Sequence, residues 1–234
     1  MNTVLFAHER PSVARAVTHV LEARGFEVEA VRDGDAASGA LRARRYAALV
    51  VDVALPKRPG YELVEFARAQ AASHGRGAQV VVLVASVFRK TSYKRRPARL
   101  YGADDYVELH HLGDMLPEKL ACHLRIDLPP ADTATEDEAT ETFYEIADAR
   151  MDDQSSEDLA SLIVADVVLY NGDRIADTST VAEARAALSE DLEVARDLLK
   201  QVFVARGDDA DADAALERSF SALMRTMGRR EVRA

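Results

Sequence analysis

The chain has 234 residues, 48% of them apolar, enough for two small domains or for one domain with a long extension. No apolar stretch reaches the roughly 18–20 residues of a membrane span. Met1 to Pro11 also lacks the layout of a signal peptide, so a soluble cytoplasmic protein without membrane contact is expected. The single cysteine, Cys122, excludes an intramolecular disulfide and a multi-cysteine zinc site, which leaves it a packing role.

The net charge of −10 is unevenly spread. Residues 1–126 hold 19 basic and 14 acidic side chains, whereas residues 127–234 hold 11 and 26. Such a contrast predicts two structural units, and the acidic half is unsuited to a phosphate backbone.

In chain order, Val4-Leu5-Phe6-Ala7 is a short apolar run ending in His8-Glu9-Arg10-Pro11, the pattern of a buried parallel strand. Val13, Ala16, Val17, Val20 and Leu21 repeat at helical spacing between Pro11 and Gly25. Phe26, Val28 and Ala30 alternate as a second strand, Asp33-Gly34-Asp35 is a turn, and Ala36 to Arg44 a second helix. Ala47 to Val51 is the most apolar strand and runs directly into Asp52. Tyr61, Leu63, Val64 and Ala67 mark a third helix, His74 to Gly77 a loop, and Val80 to Val84 a fourth strand. After a basic stretch, Tyr106-Val107 form a fifth strand and Leu112 to Leu124 a last helix. Five strands alternating with helices predict a doubly wound α/β fold with a five-stranded parallel sheet. Chemistry in such a sheet gathers at the carboxyl ends of the strands, here His8-Glu9, Asp52 and Val84-Ala85-Ser86.

Residues 127–142 are rich in Pro, Thr, Ala and acids and read as an acidic linker. Beyond it only helical periodicity returns. Leu159, Leu162, Ile163, Val167 and Tyr170 mark one helix, capped by Ser155 or Ser156 and closed by Asn171-Gly172. A longer one runs from Val181 to Phe203 and ends at Gly207; a third carries Ala215, Leu216, Phe220, Leu223, Met224 and Met227. Phe143 and Ile146 fit the start of a further helix. The predicted organisation is an α/β domain over 1–126, the linker over 127–142, and a small all-α module over 143–234.

Asp52, with Pro56 and Gly60 following in Asp-Val-Ala-Leu-Pro-Lys-Arg-Pro-Gly-Tyr, resembles the phosphorylation loop of response-regulator (CheY-like) receivers of two-component signalling. Tyr101-Gly102-Ala103-Asp104-Asp105-Tyr106-Val107 is similar to the segment that opens that family's fifth strand. The resemblance covers about 120 residues and implies a flavodoxin-like receiver fold. A place directly after an apolar strand delivers Asp52 to the solvent-accessible rim of the sheet. The resemblance implies Asp52 as phospho-acceptor, Glu9, Asp52 and the Ala54 carbonyl as Mg2+ ligands, and Tyr106 and Ser86 as switch residues. It also implies a histidine kinase or phosphotransfer protein as phosphodonor.

The sequence departs from the family pattern at several places. The acidic pair has become His8-Glu9, and an imidazole is no hard oxygen ligand, so Mg2+ binding should be weak or absent. The hydroxyl position falls on Val84 or Ala85, with Ser86 late, and the lysine position falls on Leu109. Losing the lysine removes a contact worth about 1.5–3 kcal/mol, and losing the hydroxyl one of about 1 kcal/mol. Two readings stay open: an atypical phospho-receiver, and a pseudo-receiver serving as a scaffold or assembly protein without phosphorylation. A flavodoxin-like cofactor enzyme is disfavoured, because no Ser/Thr/Gly-rich loop follows the first strand.

Arg89, Lys90, Lys94, Arg95, Arg96 and Arg99 form a basic face that either docks an acidic protein partner or is simply solvated. No nucleic-acid motif accompanies it. His8, His110 and His111 lie at the ends of strands that adjoin in a receiver, but with no Cys or carboxylate at ligand spacing they read as polar loop residues. All six histidines (8, 19, 74, 110, 111 and 123) precede the linker, so the helical module is no histidine phosphotransfer bundle. It also lacks a phosphate-binding loop or nucleophile pair, and no enzymatic activity is expected. Asp166 reads as a helix-edge aspartate or as the partner of an arginine. The expectation is a signalling protein that acts through protein–protein contacts with an unidentified partner, and a homodimer is compatible with it.

Overall fold

The computed structural model describes residues 2–75, 77–85, 100–130, 143 and 155–229. They divide into two units, one holding 2–75, 77–85, 101–130 and 143, the other holding Leu100 and 155–229.

The first unit runs β1 (Thr3–Ala7), α1 (Pro11–Ala23), β2 (Glu27–Val31), α2 (Gly34–Ala43), β3 (Arg45–Asp52), α3 (Gly60–His74), β4 (Gly77–Ala85), β5 (Asp105–Glu108), a 3-10 turn at Leu109–His111, and α4 (Met115–Leu124). The strands form one parallel sheet in the order β2-β1-β3-β4-β5. This is a flavodoxin-like doubly wound fold, as expected from the strand–helix alternation.

Val4, Phe6, Ala48, Val50, Val80, Val82 and Val84 share a core with Val13, Val17, Val20 and Leu21 of α1 and with Leu112, Leu116 and Leu120. Their neighbours Leu5, Leu49, Val51, Val81 and Leu83 are equally buried and, by strand alternation, point to the opposite face, where α2 and α3 pack. Burial on both faces is why these strands read as continuous apolar runs. Phe143, counted with the helical module in the sequence, is fully buried in the first of these cores. Ile146 and residues 131–142 of the linker lie outside the described residues.

Local chemistry sets the helix limits. Asp33 accepts bonds from the Asp35 and Ala36 amides, so the expected Asp33-Gly34-Asp35 turn is the capped start of α2. The 3-10 turn delays α4 to Met115, whose amide the Asp114 carboxylate accepts. Before β5 the chain turns through left-handed Tyr101 (φ 51°) and Gly102 (φ 89°). Arg68 of α3 holds this turn by donating to the Gly102 carbonyl and to the Asp104 carboxylate at 2.6 Å.

The second unit contains α5 (Ser156–Tyr170), a 3-10 turn (Gly172–Ile175), α6 (Val181–Ala187), α7 (Ser189–Arg206) and α8 (Ala212–Thr226). Ser155 caps α5, and Leu159, Ala160 and every residue from Leu162 to Tyr170 are buried. A helix apolar on all sides occupies the middle of its unit. The single helix expected over Val181–Phe203 is two, separated at Leu188. The Leu188 amide returns to the Ala184 and Arg185 carbonyls, and Ser189-Glu190-Asp191 then opens α7 with acids in its first turn. Apolar spacing passes straight through the break, since Ala184, Leu188 and Leu192 are all buried, so periodicity hides it. Among the described residues no helix is long and apolar enough to cross a membrane.

Candidate functional site

Strand order reverses direction between β1 and β3, the switch point where a crevice opens at the carboxyl ends of a doubly wound sheet. The parallel register sets Ala7 beside Val51, so the next residues along, His8 and Asp52, come side by side. Both are fully buried. His8 Nε2 lies 3.2 Å from Asp52 Oδ2, close but bent away from an ideal hydrogen-bond line. The other carboxylate oxygen, Oδ1, accepts the Ala54 amide at 2.9 Å. His8 Nδ1 accepts the Arg10 amide at 3.1 Å, and the imidazole lies within 5° of parallel to the Phe6 ring.

The loop after Asp52 is closed by backbone contacts. The Leu55 amide donates to the Asp52 carbonyl, and the Gly60 amide to the Val53 carbonyl. A Cβ on Gly60 would stand 2.7 Å from the Asp52 carbonyl oxygen, so only glycine lets α3 start this close to the acceptor strand. Gly34 has the same role from the α2 side: its amide donates to the Pro56 carbonyl, and a Cβ there would stand 2.3 Å from Arg58 Cβ. Lys57 adopts φ 66° between these anchors, and its ammonium lies 2.8 Å from the Asp33 carboxylate. That ammonium, together with the Ala36 and Asp35 amides, holds the Asp33 carboxyl below its usual range.

Residues 4–110 match the family model of the response regulator receiver domain. This segment is a response-regulator receiver domain. Among solved structures the chain is similar to the receiver domain of Francisella response regulator 1452, with 19% identity and a TM-score of 0.45 over 53% of this chain and 98% of that one. It is also similar to chemotaxis response regulator CheY4 of Vibrio cholerae, with 24% identity and a TM-score of 0.41 over 53% and 97%. A third is the receiver domain of the Pseudomonas aeruginosa sensor histidine kinase PA1611, described with magnesium in its active-site cleft, with 20% identity and a TM-score of 0.44 over 53% and 98%. No curated protein sequence matches the chain.

Within the receiver the expected site residues fall as follows. Asp52 ends β3, but its side chain is only 1% exposed, not open to solvent as its strand-end position implied. The Val53 amide bonds to the Val84 carbonyl and so ties the start of the following turn to β4, which keeps Asp52 against the sheet. Glu9 is half-buried, and its backbone carbonyl accepts Arg32 Nε at 3.3 Å. Ala54 turns its amide back onto Asp52. Leu109, at the lysine position, packs in the α1 and α4 core. Val84 and Ala85, at the hydroxyl position, are buried. Tyr106 is half-buried with the Lys119 ammonium 5.6 Å above its ring. Ser86 and the basic face Arg89, Lys90, Lys94, Arg95, Arg96 and Arg99 lie outside the described residues.

The donor set here does not fit magnesium. The cation takes hard oxygens in a near-octahedral shell at about 2.0–2.1 Å. The side chain that meets Asp52 Oδ2 is an imidazole, a nitrogen group. Among the described residues no group of three or more His, Cys, Asp or Glu side chains converges on a cation-sized site.

Three further readings change. Cys122, assigned to packing, is exposed on α4. His110 and His111 each have a carboxylate beside them after all: Glu108 at 3.6 Å from His110 and Asp114 at 3.1 Å from His111. In the second unit Asp166 is fully buried rather than at a helix edge. The pairing of His8 with Asp52 was not read from the sequence. Its signal is the register, since His8 follows β1 as Asp52 closes β3, but it requires knowing that the two strands adjoin.

Proposed function

We propose that the chain is a response-regulator-type signalling protein in which Asp52 is the phospho-acceptor and the output is altered protein–protein contact. The observation that carries this reading is the placement of Asp52 at the carboxyl end of β3, on the switch point of a receiver sheet, in a loop closed by Gly34 and Gly60. A histidine kinase or phosphotransfer protein is the phosphodonor in this reading, and the first unit is the part of the chain that receives it. Tyr106 is the residue whose environment reports the change. A cytoplasmic setting is part of the same proposal.

The second reading is a phosphorylation-independent receiver that works as a scaffold. It is favoured by the burial of the Asp52 carboxylate and the imidazole set against its Oδ2. One experiment separates the two. The protein is treated with acetyl phosphate or beryllofluoride in magnesium buffer, and mass and tyrosine fluorescence are followed. A phosphoryl adduct absent from D52N, with a shift in tyrosine emission absent from Y106L, supports the switch. No adduct, with partner binding unchanged in D52N, assigns the protein to the scaffold class.

A further inference from the structure

His8 and Asp52 face each other at the carboxyl ends of β1 and β3. His8 Nδ1 accepts the Arg10 amide, so that nitrogen carries its lone pair and the ring proton resides on Nε2. Nε2 is the atom that faces Asp52 Oδ2 at 3.2 Å. The Ala54 amide meets Oδ1, so both carboxylate oxygens face N–H groups. The imidazole is fully buried and lies parallel to Phe6, which fixes its plane from the side.

We infer that His8 stands in the place of a divalent cation at this site, acting as a positioning residue that holds Asp52 and its loop without metal. A cation approaching Oδ2 meets the proton of Nε2–H, and the imidazole presents no oxygen to complete a shell. A carboxylate withdrawn from water needs polar partners; the Ala54 amide donates to Oδ1, and Nε2–H is set against Oδ2 on the side from which a cation would approach. The geometry carries this whether or not Asp52 is phosphorylated, and it identifies one side chain as the barrier to metal binding.

The test uses the full chain. Mn2+ titration by water proton relaxation, checked by Mg2+ competition, compares wild type, H8D and H8D/D52N. H8D should bind Mn2+ at least about tenfold more tightly than wild type, a difference of about 1.4 kcal/mol, and D52N should abolish the gain. In parallel, 15N NMR of the wild type should show His8 protonated at Nε2 and bare at Nδ1, with the Nε2 signal displaced in D52N. Wild-type affinity equal to that of H8D, or a His8 proton on Nδ1, overturns the inference. The NMR arm needs no His8 variant, so it stands even where H8D fails to fold. Neither arm uses a phosphodonor, and failure here is therefore distinct from failure of the phosphorylation reading.

Discussion

Asp105 opens β5 with three partners on one carboxylate: the Lys119 ammonium at 2.8 Å, His123 Nε2 at 3.1 Å and the Tyr106 amide at 2.8 Å. Burial pushes its pKa up, but the Lys119, Tyr106 and His123 contacts together outweigh that and hold it below the ordinary aspartate value. A carboxylate depressed in the folded state contributes stability at pH values above its unfolded pKa, and that contribution is lost as the pH falls through the folded value. The receiver should therefore lose stability below about pH 4. In D105N this acid-sensitive part should shrink, read as a smaller drop in the urea midpoint between pH 6 and pH 3. Parallel profiles for the two proteins would rule out the mechanism. The same cluster brings Lys119 over Tyr106, which ties the aromatic ring to α4.

At the level of elements, the start of α6 is a complete capping box. The Thr180 hydroxyl accepts the Glu183 amide, and the Glu183 carboxylate accepts the Ser179 and Thr180 amides. The Ser179 and Thr180 amides hold the Glu183 carboxyl below its usual range. T180A should destabilise the helical unit by about 1 kcal/mol. Thermal unfolding followed by circular dichroism would show this, and an unchanged midpoint would mean that α6 is held by packing alone. The spacing of apolar residues located four of the five strands closely, because β1, β3 and β4 carry uninterrupted core runs and β2 alternates with polar residues. β5, only four residues long and half-buried at the edge, rested on Tyr106 and Val107. Helix boundaries were legible where a side chain sets them, as at Ser155, and illegible at Leu188, where the backbone turns while the apolar pattern continues.

For the whole molecule, the described residues form an α/β unit and a helical unit, while the charge contrast is drawn at residue 126. Phe143 departs from that simple split, since its ring is fully buried among residues of the receiver core. F143A should weaken the receiver by about 3–5 kcal/mol, the usual cost of removing a buried phenylalanine ring. Hydrogen exchange of the β1 and β3 amides in the full chain is the measurement, and unaltered protection would show the ring to be dispensable.

By itself the sequence determined the order of strands and helices, the position of Asp52 at a strand end, and the glycine and proline spacing of its loop. Those depend on local periodicity and on steric demands at single residues such as Gly60. Only the tertiary structure decided that His8 faces Asp52, that the carboxylate is buried, and that Phe143 serves the first unit. Each of these joins residues far apart in the chain, and strand adjacency, register and core packing exist only once the sheet has formed.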